Sequence, residues 1–130
     1  MKFLIVDDNL QNSKLLQGML HIYGESDIVL SGPEGIKAFQ TAHQANNIYT
    51  IIFLDIMMPE LDGLEVLALL RQFEEENHIT KPVQVVMATS RSDTETILTS
   101  YEEGCQHYFL KPYDKLDLKE LMALMGYYIG

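Results

Sequence analysis

Thr50-Ile51-Ile52-Phe53-Leu54-Asp55-Ile56-Met57-Met58-Pro59-Glu60-Leu61-Asp62-Gly63 decides the reading of this chain. Thr50–Leu54 is short, apolar and rich in β-branched and aromatic residues, with no polar alternation. That is the pattern of a strand buried on both faces. Asp55 follows it directly, where an ionised group is costly unless it is used. Pro59 and Asp62-Gly63 then mark a loop and a helix start.

The same arrangement recurs outward from this stretch. Phe3–Val6 is a second apolar run, ending at Asp7-Asp8-Asn9. Val83–Ala88 is a third, followed by Thr89. Tyr108–Leu110 is a fourth, followed by Lys111 and Pro112. A brief strand is expected at Ile28–Leu30. Helical spacing of apolar residues predicts helices from Leu10 to about Tyr23, Pro33 to about Ala45, and Leu64 to about Glu76. Two more are predicted from a Ser92 or Asp93 cap to about Glu103, and from Asp114 to about Met125. Strands and helices alternate five times. The expected fold is α/β, a parallel sheet covered on both faces by helices. Such sheets bind ligands beyond the carboxyl ends of their strands.

The bulk properties set limits. The chain has 130 residues, 47% of them apolar and 22% charged, which suits one globular domain over 1–130. Nine basic against 19 acidic residues leave a formal charge of −10. That balance argues against direct nucleic-acid binding and against an anionic membrane surface. No apolar stretch is long enough to span a membrane, and the N-terminus is too short and acidic for a signal peptide. Cys105 is the sole cysteine and suits a reducing, cytoplasmic setting. No output domain is expected in the chain.

Asp7, Asp8 and Asp55 should come out on one sheet edge, where crowded carboxylates repel each other. A glycine-rich phosphate loop is missing after the first strand, so a phosphate near these acids needs a divalent cation between them. Mg²⁺ suits oxygen ligands of this kind. Helix capping is the competing role for Asp7-Asp8, and a turn or cap role competes for Asp55. A carboxylate can also attack phosphorus and form an acyl phosphate. Thr89 offers a hydroxyl and Lys111 a positive charge to the same edge. Glu74-Glu75-Glu76 reads as a solvated helix face. Met57-Met58 and Tyr108 read as packing residues. His21, His43, His78 and His107 are dispersed, with no metal-ligand spacing.

Together, LIVDDN, LDIMMPELDG, VVMATS and HYFLKP resemble a response-regulator receiver domain, most closely the single-domain chemotaxis type. The resemblance covers essentially the whole chain. It implies a doubly wound, flavodoxin-like five-stranded parallel sheet of order 2-1-3-4-5 with five helices. It implies that Asp55 accepts a phosphoryl group from a phosphohistidine, and that Asp7, Asp8, Asp55 and the Met57 carbonyl hold Mg²⁺, with Mn²⁺ as a second ion the site admits. Asp8 is the expected direct ligand of the first two. Thr89 and Lys111 would bind phosphoryl oxygens. Tyr108 would be the switch aromatic, and Met57 and Arg91 would modulate phosphoryl lifetime. The implied partners are a histidine kinase or histidine phosphotransfer protein and a downstream protein, met on the face of the fourth helix, fifth strand and fifth helix, with Tyr101 and Tyr108. Monomers or phosphorylation-dependent dimers fit this reading. So does a signalling role in which the chain catalyses only its own phosphorylation and dephosphorylation. Cys105 departs from the alanine usual in the family, but packs as a small apolar residue. A Mg²⁺-dependent aspartyl phosphohydrolase of the haloacid-dehalogenase type competes weakly, because Met57 stands where that type has a second aspartate. A pseudo-receiver that binds without accepting phosphate is the remaining alternative.

Overall fold

A computed structural model describes residues 1–129. Five strands, β1 (Lys2–Val6), β2 (Glu25–Val29), β3 (Ile51–Leu54), β4 (Gln84–Thr89) and β5 (His107–Leu110), alternate with five helices. The helices are α1 (Leu10–Leu20), α2 (Gly32–Gln44), α3 (Gly63–Glu76), α4 (Thr94–Glu102) and α5 (Lys115–Leu124). All strand pairs are parallel, in the order β2-β1-β3-β4-β5. This is the doubly wound sheet expected from the sequence.

Strand periodicity builds two cores. Leu4, Val6, Ile52, Leu54, Val85 and Met87 face one side, against Phe39 of α2 and Leu67 and Leu70 of α3. Phe3, Ile5, Ile51, Phe53 and Val86 face the other, against Leu16 and Leu20 of α1 and Leu118 and Met122 of α5. Successive side chains alternate faces, so a strand apolar at every position needs helices on both sides. Each fully buried Leu, Ile or Phe contributes roughly 1.5–3 kcal/mol. α4 is the exception: its buried residues are Thr96 and Ser100, so it has the least apolar anchorage of the five helices.

Three expectations need correction. β2 begins at Glu25, three residues before Ile28, and ends at Val29. It is an edge strand whose register, Lys2 opposite Glu25, is set by β1 pairing rather than by its own hydrophobicity. Glu74 is not on a solvated face. It is 4% exposed, bonded to Arg71 Nη1 at 2.7 Å and accepting the Val83 N–H at 2.7 Å. Arg71 also donates to the carbonyls of Val83 and Gly104 and to Gln106 Oε1. These bonds tie the end of α3 to the start of β4 and to the α4–β5 turn, where Gly104 has φ +107°. α1 also stops at Leu20 rather than Tyr23, in a turn closed by Tyr23 N to Leu20 O. Among the described residues no helix is long and apolar enough to cross a membrane.

Candidate functional site

The sheet register assembles the site. Val6 pairs with Leu54, so the residues that follow, Asp7 and Asp55, emerge side by side. The Asp55 N–H donates to the Val6 carbonyl at 2.9 Å, extending the ladder one step past β3. Thr89 pairs with Leu110, and the Lys111 N–H donates to the Thr89 carbonyl at 2.9 Å. Asp7, Asp55 and Thr89 are buried, while Asp8 is exposed at the rim. Carboxylate oxygens of Asp7, Asp8 and Asp55 lie within 4.8 Å of one another.

Lys111 Nζ reaches back across the edge to Asp7 Oδ2 at 2.8 Å and Asp55 Oδ2 at 3.2 Å. One ammonium thus faces three carboxylates, and the edge keeps a surplus of negative charge. Burial pushes the Asp55 carboxyl above its ordinary value. The Lys111 charge opposes that, the Asp7 charge adds to it, and hydrogen bonds from Lys111 and Thr89 oppose it. Burial works against the Lys111 ammonium too, but its hydrogen bonds and the charges of Asp55 and Asp7 outweigh it and raise its pKa.

The capping question raised by Asp7-Asp8 has an answer. Asn9 caps α1 by accepting the Asn12 N–H, and Asp7 Oδ1 instead accepts the Asn9 N–H at 2.9 Å. Asp55 caps no helix; its Oδ1 accepts the Met57 N–H at 3.4 Å. Asp62 caps α3 in a reciprocal box with Glu65. Gly63 does more than mark the turn. A Cβ there would lie 2.2 Å from the Asp55 carbonyl oxygen, so only glycine lets the start of α3 lie against the Asp55 backbone.

Around this centre, Thr89 Oγ1 accepts the Arg91 N–H at 3.3 Å. The Arg91 guanidinium turns away to Asp93 and Thr96, each at 2.9 Å. The Arg91 contact, followed by hydrogen bonds from Thr96, holds the Asp93 carboxyl well below the usual carboxylate range. Tyr108 donates its hydroxyl to the Arg91 carbonyl at 2.6 Å, and burial raises its pKa to about 12. Met57 is an exposed side chain beside the acids. Cys105 is buried, and its thiol is pushed up to about 11 by that burial, as fits packing rather than reactivity. Sequence reasoning did not single out Tyr113. It stacks on Phe109 at 5.2 Å, and burial plus the charges of Asp7 and Asp55 raise its pKa. The signal available was an aromatic two residues past Lys111.

A doubly wound sheet with buried acids and a lysine at its carboxyl edge is the frame of a signalling receiver. The response regulator receiver domain family matches residues 3–123, and the chain belongs to it. It is 32% identical over 126 residues to "Hybrid signal transduction histidine kinase L" of Dictyostelium discoideum, covering 96% of this chain but 7% of that protein. It is 27% identical over 125 residues to "Chemotaxis protein CheY1" of Helicobacter pylori, covering 96% of each. Among solved structures, a chain of the co-crystal of the Saccharomyces cerevisiae histidine phosphotransfer protein Ypd1 and the receiver domain of its response regulator Ssk1 superposes with TM-score 0.80. That match has 25% identity and covers 94% of this chain and 86% of that one. The chain is therefore a receiver domain of two-component signalling, a signalling module rather than a conventional enzyme. Its cluster of three carboxylates is compatible with Mg²⁺.

Proposed function

We propose that Asp55 is the phosphoacceptor of a two-component phosphorelay. The observation that carries this reading is the surplus of buried negative charge at Asp7 and Asp55 beside a single ammonium, Lys111. A buried charge cluster left unbalanced is costly, and is kept where a cation and a reacting group complete it.

In the proposed reaction, an Asp55 carboxylate oxygen forms a bond to phosphorus as the N–P bond of a phosphohistidine breaks and the imidazole leaves. The donor is a histidine kinase or a histidine phosphotransfer protein. Asp7, Asp8, Asp55 and the Met57 carbonyl would hold Mg²⁺, with Mn²⁺ as a substitute. Held there, the ion would supply positive charge to offset the carboxylates and the transferring phosphoryl group. Lys111 moves its bond from Asp55 to a phosphoryl oxygen while staying anchored at Asp7. Thr89 donates its hydroxyl to another phosphoryl oxygen. Water in line with the acyl phosphate later attacks phosphorus, giving inorganic phosphate and restoring the carboxylate. Met57 and Arg91 flank that water and set the lifetime.

Thr89 and Tyr108 meet at the Arg91 backbone, so movement of Thr89 toward the phosphoryl group shifts the acceptor of the Tyr108 hydroxyl. α4, with its two polar buried residues, is the helix least able to resist this. The readout face is α4, β5 and α5, including Tyr101 and Tyr108, and it biases an existing equilibrium between two states. On this reading residues 1–130 work as one cytoplasmic domain, monomeric at rest.

Beryllofluoride with Mg²⁺, a mimic of the acyl phosphate, tests the site by amide NMR. Saturable shifts at Asp55, Thr89 and Lys111, abolished by Asp55→Asn, are expected. A wild-type chain that does not respond would instead be a binding module with a silent site.

A further inference from the structure

Arg91 touches three elements at once. Its N–H donates to Thr89 Oγ1 at 3.3 Å, at the end of β4. Its carbonyl accepts the Tyr108 hydroxyl of β5 at 2.6 Å. Its guanidinium reaches into the first turn of α4, with Nε on Asp93 Oδ1 and Nη2 on Thr96 Oγ1, each at 2.9 Å. Asp93 and Thr96 close these contacts into a ring. Asp93 Oδ2 accepts both the Thr96 N–H, at 3.1 Å, and the Thr96 hydroxyl. That hydroxyl thus donates to Asp93 and accepts from Arg91, so both of its capacities are used.

Capping α4 requires only that Asp93 accept the Thr96 N–H. Asp62 and Asp114 cap α3 and α5 in the same way, and neither is in an ion pair of the described residues. The cap alone therefore leaves the Arg91 guanidinium without a role. What it can fix is the segment before the cap. Ser90, Arg91, Ser92 and Asp93 are all exposed, and the buried residues of α4 are Thr96 and Ser100. No apolar burial locates the turn from β4 to α4, so polar bonds set its course. The guanidinium makes two of them together, in a planar fork that admits little rotation. An Arg91 side chain held in this way constrains its own peptide, whose carbonyl is the Tyr108 acceptor.

We infer that Asp93 and Thr96 are positioning residues, which hold the Arg91 guanidinium so that the Arg91 carbonyl stays within reach of the Tyr108 hydroxyl. The inference rests on the reading of Tyr108 as the switch aromatic and adds a second input to it. Thr89 acts on Arg91 from the N–H side, and the first turn of α4 acts through the side chain. Opening the ring releases Tyr108 with no change at Asp55.

The test reads the Tyr108 ring in the full chain by ¹H–¹³C NMR of labelled tyrosines, with Tyr108→Phe to identify its signal. Asp93→Asn keeps an oxygen for the Thr96 N–H, and asparagine caps as well as aspartate, but the charge that holds Arg91 is gone. Thr96→Val removes the second acceptor of the guanidinium. In both variants the Tyr108 signal is expected to move toward that of Tyr128, which is 78% exposed, while the Cα shifts of Thr94–Glu102 stay helical. Exposed ion pairs are modest, so the released population should rise roughly threefold rather than to completion. Arg91→Lys, which keeps the charge without the fork, should give an intermediate shift. A Tyr108 signal unmoved in both Asp93→Asn and Thr96→Val would overturn the inference and leave the ring as a helix cap. So would a Tyr108 that moves only where the helical shifts of α4 are lost. The measurement uses neither metal nor phosphoryl group, so it fails separately from the assignment of Asp55. A ring that moves in the variants but not with beryllofluoride and Mg²⁺ would uphold the positioning role and contradict the switch.

Discussion

Two buried ionic clusters lie at opposite edges of the same sheet, and they are built on different principles. At the amino edge, Arg71 meets Glu74, and the remaining guanidinium donors and the second carboxylate oxygen go to backbone and to Gln106. Charge is balanced one to one. At the carboxyl edge, Lys111 faces Asp7 and Asp55, with Asp8 alongside. The first cluster is complete and holds elements together. The second is incomplete, and its deficit has the charge and oxygen donors that a divalent cation and a phosphoryl group require. Burial alone therefore does not separate architecture from chemistry; the charge balance does.

Breaking the balanced cluster should have the larger effect on stability. Arg71→Met leaves Glu74 buried and unpaired and is expected to cost about 3–5 kcal/mol in denaturant unfolding. Added Mg²⁺ should not restore it. Lys111→Met should cost less, about 2 kcal/mol, because the carboxyl edge opens to water at Asp8. Most of that loss should return with millimolar Mg²⁺, since a ligand that binds only the folded state stabilises it. If Mg²⁺ rescues both variants or neither, the contrast between the clusters fails.

The pH response sharpens it further. The Asp55 carboxyl titrates above its ordinary 3.8 in the folded chain because burial disfavours its charge. Between that value and its raised one, the folded state binds more protons than the unfolded state. Without metal, stability should therefore fall as pH rises through this window. Asp55→Asn should flatten that part of the profile and raise stability at neutral pH, as measured by urea unfolding across pH. The smallest effect belongs to Glu75→Gln, one residue from Glu74. Glu75 is exposed, and the change should stay within about 0.5 kcal/mol.

The carboxyl edge was legible in the sequence because apolar strands throw an ionisable residue at their end into relief. Asp55 after Ile51–Leu54 and Lys111 after Tyr108–Leu110 needed no fold to be noticed. β2 was legible only at Ile28-Val29, because its first half, reading Glu-Ser-Asp, takes its place from pairing with β1. Glu74 was misread inside a run of three glutamates. The phase was available: Leu67, Leu70 and Glu74 lie on one helical face, with Arg71 three residues earlier. That Lys111 lies closer to Asp7 than to Asp55 could not be read, since it depends on how a side chain crosses two intervening strands. The demand for glycine at position 63 was equally hidden, because it comes from the packing of α3 on the Asp55 backbone.

Phosphoryl uptake tests the central claim most directly. The intact mass of the wild type and of Asp55→Asn should be followed after incubation with acetyl phosphate and Mg²⁺. The account predicts one Mg²⁺-dependent phosphoryl group on the wild type and none on Asp55→Asn. Uptake that persists in Asp55→Asn, or a wild type that takes up nothing, would contradict it.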